Sequence, residues 1–302
     1  MTPEIEDEAE KVLAASREMP EFWKRKYEAE FVRNWDIFYK KYDAGVSTGS
    51  GFWPDRAWLQ REFNELKPNG LPRLMVEIGC GVGSTLFPSL MLNKDLIAGA
   101  YDCSPRAVEF VKQRWASLMS QGIERDSDLG CILEKETPDI NPFVPWSGGR
   151  LLDAAVWDIT KPMPSSSLTA LQTARAVEST QVADIVMCVF VVSALPLSEQ
   201  AEAVRRLAGL LVPGGVIIFR DYGRYDDKQL KLARHRIPKK VRDNCFARQD
   251  GTLQTYFTCD EVEALFTGAG LRTIENGKFL REFNGVKRVW IQSRFQKPTD
   301  GM

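Results

Sequence analysis

Glu77, Gly79, Gly81 and Gly83 occupy alternate positions of one short stretch, and Asp102 follows about 20 residues after the glycines. Glycine lacks a Cβ, so the chain can turn sharply here and a ligand can touch the backbone. The two carboxylates are hydrogen-bond acceptors, and an acidic side chain at the position of Asp102 suits the hydroxyls of a ribose. Such chemistry needs a strand that ends at the glycines, a helix that begins after them, and a second strand that ends at Asp102.

The flanking residues supply those elements. Leu74 to Ile78 is an apolar run that reads as a strand buried on both faces, and Ser84 to Leu92 can form a helix. Leu96 to Tyr101 is the second apolar run. Strand, glycine turn and helix in succession form a nucleotide-binding layout. The string is G-x-G-x-G and not G-x-G-x-x-G, with Glu77 before it and Asp102 after it. Together these features favour S-adenosylmethionine over a dinucleotide. The plain alternative is an ordinary tight turn between a strand and a helix.

Further along, the same alternation continues. Ser104-Pro105 places a capping residue and a proline at the start of a helix whose Ala107, Val108, Val111 and Trp115 share a face. Leu151 to Trp157 reads as a strand ending at Asp158, and Asp184 to Val192 as another. A helix from Ser198 to Leu211, a Val212-Pro213-Gly214-Gly215 turn and a strand from Val216 to Phe219 follow. After helix 259–268, strands at about 271–282 and 286–295 close the chain as an antiparallel pair. The pattern predicts an α/β, Rossmann-like, seven-stranded and mostly parallel sheet with helices on both faces. Ligands of such sheets lie beyond the carboxyl ends of the strands, where Gly79, Asp102, Asp158, Val189 and Asp221 fall.

Composition limits the alternatives. With 302 residues and 44% hydrophobic content, the chain can bury a full core. A net charge of −1 argues against a strong overall attraction to nucleic acid but allows a local basic face. The six cysteines show no C-x-x-C pair and lie mostly in or beside apolar runs, as reduced intracellular thiols would. One histidine, His235, cannot build a metal site alone, so no metal is expected. No apolar run is long enough to span a membrane, and the acidic start (Glu4, Glu6, Asp7, Glu8, Glu10) is unlike a transit or secretory signal. The expected location is the cytoplasm, with the nucleus as a second compartment.

Two regions stand apart from the alternation. Residues 21–43 carry Phe22, Trp23, Tyr27, Phe31, Trp35, Phe38, Tyr39 and Tyr42 at helical spacings, predicting an aromatic-faced helix that packs on the main domain, closes over a cofactor, or does both. Residues 220–248 hold ten basic side chains against four acidic ones, with tyrosines interleaved. That stretch is either a solvated charged face or a surface for phosphates and stacked bases.

At this point the residues resemble a known family, the tRNA N3-methylcytidine methyltransferases. The shared strings include Trp35-Asp36-x-Phe38-Tyr39, Asp55-Arg56-x-Trp58-Leu59, Glu77-Ile78-Gly79-Cys80-Gly81-Val82-Gly83 and Asp102-Cys103-Ser104-Pro105. Later come Phe190-Val191-Val192-Ser193-Ala194, Phe219-Arg220-Asp221-Tyr222-Gly223, Arg248-Gln249-Asp250-Gly251-Thr252 and Tyr256-Phe257-Thr258. Pro54, Ala57 and Leu253 depart from the family pattern. Residues 1–20 read from their composition as a flexible acidic lead-in, and residues 21–72 as a helical lid and RNA-contact segment. The resemblance implies a methyltransferase domain over 73–298, apart from the polar, Pro- and Gly-rich stretch at about 120–150 and the Ser-, Thr- and Ala-rich stretch at 161–181, which read as insertions or long loops. It places Trp35, Tyr39, Glu77, Gly79, Gly81, Gly83, Asp102, Cys103, Ser104, Asp158, Ile159 and Val189 around S-adenosylmethionine. Arg56, Arg224, Lys239, Lys240, Arg248 and Arg288 would touch RNA. The substrate implied is a tRNA, such as a serine or threonine tRNA, methylated at position 32 of the anticodon loop. A seryl-tRNA synthetase or another protein is an expected partner.

The N3 atom of an unpaired cytosine has an in-plane lone pair, so it can attack a sulfonium methyl without first losing a proton. Base pairing would block it, which favours a loop or a flipped base. Asp221 is the candidate to stabilise the growing positive charge, Arg220 and Tyr222 to orient the base or its phosphate, and Phe190 to stack on it. The alternatives are a methyltransferase of small molecules or proteins, and a non-catalytic RNA-binding adaptor with the same fold.

Overall fold

A computed structural model describes residues 3–46, 54–124 and 143–299. The chain begins with helices α1 (Pro3–Ala14), α2 (Glu21–Ala29), α3 (Phe31–Val46) and α4 (Leu59–Glu62). Strand β1 (Arg73–Ile78) leads to α5 (Leu86–Leu92), and β2 (Leu96–Asp102) to α6 (Pro105–Gln121). The short strands β3 (Ile123–Glu124) and β4 (Phe143–Val144) pair with each other before β5 (Arg150–Val156) and α7 (Ser165–Arg175). Then come β6 (Ala183–Val189), α8 (Leu197–Leu210), β7 (Leu211–Tyr222) and α9 (Asp227–Ala233). Strands β8 (Lys240–Arg242), β9 (Cys245–Ala247) and β10 (Leu253–Thr255), helix α10 (Cys259–Thr267), and strands β11 (Arg272–Phe283) and β12 (Val286–Gln296) complete the chain.

Seven strands form one sheet in the order β11-β12-β7-β6-β1-β2-β5. The pairs β1/β2 and β2/β5 are parallel, while β12 runs antiparallel to both β7 and β11. The chain divides into two compact units, Asp36–Met187 with Leu210–Gly215, and Met1–Trp35 with Cys188–Gly209 and Val216–Met302.

In the first unit, β1 and β2 are buried on both faces and mostly apolar, with Glu77 and Asp102 as buried exceptions at their carboxyl ends. Ser104 caps α6 by accepting the Ala107 N–H at 3.3 Å, with Pro105 at the first helical position. Such a cap contributes about 1 kcal/mol. Residues 161–181, expected as an insertion or loop, instead contain α7, which buries Ser167 and Leu171. Its Ser/Thr-rich sequence hides a narrow apolar stripe. Most of the expected 120–150 insertion, residues 125–142, lies outside the described residues.

The second unit shows three departures from expectation. The acidic lead-in is a helix, because Ala9 and Leu13 stand four apart and both are buried, Leu13 against Phe246 and Tyr256. The aromatic helix of 21–43 breaks at Glu30 into α2 and α3, with Tyr27 and Phe31 on either side of the break packed on Met19, Val241, Cys245, Ala247 and Leu253. Residues 240–255 form a three-stranded sheet, ordered β10-β9-β8, whose strands of three residues are too short to show a period. In addition, β7 runs through the Pro213-Gly214-Gly215 string read as a turn.

Candidate active site

The glycine turn after β1 has the conformation its sequence demands. Gly79, Gly81 and Gly83 have φ of 60°, 54° and 82°, a left-handed region costly to other residues. A Cβ on Gly81 would stand 2.8 Å from the Tyr39 hydroxyl, and one on Gly83 would stand 2.3 Å from the Phe87 ring. Asp102 at the end of β2 holds this turn. Its Oδ2 accepts the Gly81 N–H at 3.0 Å and its Oδ1 the Ser104 N–H at 2.9 Å. Burial pushes its pKa up to about 6, against the lowering effect of these two N–H groups.

Tyr39 is buried over the turn, and α3 is anchored there by a residue that sequence reasoning passed over. Asp36 accepts from the Ser104 hydroxyl at 2.9 Å and from Arg106 Nε at 3.3 Å, tying α3 to the start of α6. Its place in the Trp-Asp-x-Phe-Tyr string was the available signal. Cys103 lies close enough to Asp102 and Asp158 for both carboxylates to raise its pKa, after burial. Asp158 accepts from the Thr160 N–H and hydroxyl at 3.0 and 2.8 Å, and Ile159 beside it is buried.

Glu77 is buried, and burial raises its pKa to about 8, against Arg56 and Thr85. Its Oε2 has no hydrogen-bond partner. Arg56, expected on RNA, backs this turn: its Nη1 donates to Thr85 Oγ1 at 3.1 Å and its N–H to Ser84 O at 2.7 Å. Asp55 pairs with both terminal nitrogens of Arg114 at 3.1 and 2.6 Å, and Arg114 lies 4.4 Å over the Phe87 ring that fills the space beside Gly83. Gln60 adds a bond to Ser89 O at 3.0 Å. The Asp-Arg-x-Trp-Leu string therefore braces the glycine turn from behind.

The second unit holds the other expected site residues. Phe190, directly after buried Val189, adopts φ of 61°, a conformation rare for an aromatic residue and often found at functional sites. Its ring lies 4.8 Å from that of Tyr222, which lies 5.9 Å from Tyr256. Asp221 does not stand free beside this pair. It is fully buried, its Oδ2 accepts the Ser193 N–H at 2.9 Å and its Oδ1 the Tyr222 N–H at 2.9 Å. Alternation along β7 sets it on the opposite face from Arg220 and Tyr222. Gln200 ties the same turn by donating to Val192 O and Leu195 O at 3.2 and 3.3 Å. The Asp221 carboxylate thus helps to hold the Phe190–Ala194 turn. Arg220 is also buried, bonded to Gln292 Oε1 and lying 4.8 Å from the Trp290 ring.

The basic stretch is largely neutralised within the protein. Arg224 pairs with Glu261, Lys240 with Asp243, Arg242 with Glu28, Arg248 with Asp250 and, from β12, Arg288 with Asp226. Arg224, Lys240, Arg248 and Arg288, all expected to touch RNA, thus each have a carboxylate partner within the protein. Lys239 is half-buried, and its carbonyl accepts the Ala247 N–H.

Comparison with known proteins places these features. A family model described as a methyltransferase domain matches residues 55–276. The human tRNA N(3)-cytidine methyltransferase METTL6 is 32% identical, over 97% of this chain and 89% of its own length. The chain belongs to the tRNA N(3)-cytidine methyltransferase family. The tRNA N(3)-methylcytidine methyltransferase trm141 of Schizosaccharomyces pombe is 31% identical over 94% of this chain and all of its own. A SAM-dependent methyltransferase from Methanosarcina mazei shares the fold, with a TM-score of 0.54 at 15% identity over 77% of this chain and 95% of its own. The methyl donor of this family, S-adenosylmethionine, fits the cradle. Asp102 keeps lone pairs beyond those that accept the Gly81 and Ser104 N–H groups, as a ribose would need, and the buried Glu77 Oε2 has no partner within the protein. Among the described residues no helix is long and apolar enough to cross a membrane.

Proposed function

We propose that this chain methylates N3 of a cytidine at position 32 in the anticodon loop of tRNA, with serine and threonine tRNAs as first candidates. The observation that carries the reading is the Phe190–Tyr222 pair, with Phe190 held in a left-handed backbone conformation. Such a conformation persists only where its surroundings enforce it, here through Asp221, Gln200 and the bond from Phe190 N–H to Arg220 O at 2.7 Å. The aromatic pair offers a face for an unpaired base.

Bound S-adenosylmethionine supplies a methyl group on a positively charged sulfur. Gly79, Gly81, Glu77 and Asp102 would hold it, with Tyr39 packed on the turn. The nucleophile needs no general base, because cytosine N3 carries its lone pair at neutral pH. What the protein supplies is placement, which can account for much of the rate. Methylated cytosine is cationic, and the faces of Phe190 and Tyr222 stabilise a cation laid against them. In this reading they do what the sequence reading gave to Asp221. A seryl-tRNA synthetase that holds the same tRNA is the expected helper.

The test is nucleoside analysis of unmodified serine and threonine tRNA transcripts incubated with the protein and S-adenosylmethionine, with and without seryl-tRNA synthetase. N3-methylcytidine at position 32 is the expected product. Label transferred only into protein or small molecules, or none despite S-adenosylmethionine binding, overturns the reading.

A further inference from the structure

Beside Tyr222, one group of side chains has hydrogen-bonding capacity that the protein does not use. Asp226, fully buried, organises it. Its Oδ1 accepts the Lys228 N–H at 2.8 Å, and its Oδ2 accepts Arg288 Nε at 2.8 Å and the Val289 N–H at 3.0 Å. These bonds fix the start of α9, which carries Lys228, and the guanidinium of Arg288. No described residue accepts a hydrogen bond from the two terminal nitrogens of Arg288, and Lys228 forms no ion pair with any described residue.

Arg248 approaches from the turn between β9 and β10. Asp250 binds its Nη2 at 3.0 Å, and the Arg248 N–H bonds Thr252 O at 2.8 Å. Arg288 and Arg248 both lie within electrostatic reach of Lys228 there. Crowding by protein, and then Arg288 and Arg248, lower the pKa of the Lys228 ammonium. The Tyr256 hydroxyl feels Asp226, Tyr222, Arg288 and Arg248 alike, yet it is buried without a hydrogen-bond partner. A buried hydroxyl left without a partner is destabilising. Asp226 and Asp250 offset two of the three positive charges, and Lys228 is left over. A phosphate oxygen would supply what each group lacks: an acceptor for the Arg288 nitrogens and Tyr256, and a counter-charge for Lys228.

We propose that Lys228, Arg248, Arg288 and Tyr256 form a seat for one RNA phosphodiester, next to the nucleotide whose base lies against Tyr222. The inference rests on the tRNA reading above and adds Lys228 and Tyr256 to it. Charge-assisted contacts of this kind set register on RNA and do not read its sequence.

Two variants test it, Lys228→Gln on an exposed position and Tyr256→Phe. The readouts are tRNA affinity across a salt series, S-adenosylmethionine affinity and Tm. For Lys228→Gln, the slope of log affinity against log salt is expected to fall by about 0.7–0.9, the loss of one phosphate contact. For Tyr256→Phe, tRNA affinity is expected to fall several-fold while Tm stays level or rises, because the hydroxyl removed had no partner. S-adenosylmethionine affinity is unchanged in both. If wild-type protein binds tRNA and both variants keep its affinity and slope, the seat is overturned and the tRNA reading stands. If wild-type protein binds no tRNA, the tRNA reading itself fails.

Discussion

Asp221 and Ser193 are joined by a hydrogen bond of 2.9 Å in a place no solvent reaches, and the bond holds the turn that carries Phe190. Gln200 holds the same turn through two carbonyls. If both residues act by position, Asp221→Asn and Gln200→Ala should lower kcat in the same way, by about tenfold to a hundredfold for a displacement near 1 Å. S-adenosylmethionine affinity should stay near wild type. A large loss in Asp221→Asn with none in Gln200→Ala would return Asp221 to a direct electrostatic role.

Phe190 is expected to act mainly through its face. Phe190→Ala should cost about 1–3 kcal/mol of tRNA transition-state binding, the range for one base on one ring. Phe190→Tyr should keep most of the activity. The comparison is kcat/KM on a tRNA transcript, and equal losses in the two variants would argue against stacking.

Gly83 is constrained twice, by φ of 82° and by the Phe87 ring 2.3 Å from where a Cβ would lie. Gly83→Ala should destabilise the protein by about 2–4 kcal/mol, combining overpacking with a left-handed backbone. A second substitution, Phe87→Leu, should recover part of it. Denaturant midpoints of the single and double variants measure the coupling.

Much of this was legible in the sequence where local chemistry and long-range packing agree. The limits of β1 match the apolar run, because a parallel strand buried on both faces is mostly apolar. The cap at Ser104 and the glycine turn were legible because each needs a particular residue type. What was not legible depended on partners distant in the chain. Arg56 looks like any surface cation until Thr85 and Ser84 are found behind it. Asp221 sits at a strand end as a catalytic carboxylate would, and nothing local in the sequence reveals the Ser193 and Tyr222 N–H groups that its oxygens accept. Helix α1 was hidden because its charge outweighs its two buried residues.

Three buried carboxyls set a pH dependence whose sign can be worked out. Burial raises Asp102 to about 6, Asp221 to about 7 and Glu77 to about 8. Unfolded carboxyls titrate near pH 4, so from there up to those values the native state binds more protons than the unfolded state. Stability of the protein without cofactor should therefore fall as pH rises from about 4 to 8 through these groups. Cofactor affinity should run the other way at low pH. Asp102 accepts ribose hydroxyls best when ionised, so affinity should weaken as pH drops below about 6, approaching tenfold per unit. Asp102→Asn should bind more weakly at pH 8 and lose this dependence. Calorimetric titration at several pH values decides the point, and an unchanged profile in Asp102→Asn would rule the role out.

Helix α1 brings acidic side chains to the surface where RNA phosphates are expected. Glu6 pairs with Lys278 at 2.7 Å, Glu10 accepts from the Tyr225 hydroxyl at 2.6 Å, and the helix packs on α9, which carries Lys228 and Lys231. Leu13 and Ala9 hold it down by burial, so Leu13→Ala should cost about 2–4 kcal/mol of stability. The carboxylates instead act over distance. Glu6→Gln with Glu10→Gln should raise tRNA affinity several-fold in 50 mM salt. The gain should shrink toward nothing near 1 M, where the screening length is about 3 Å. A gain that persists at high salt would mean that the substitutions rearranged the helix, and no gain at low salt would mean that its charge does not oppose RNA.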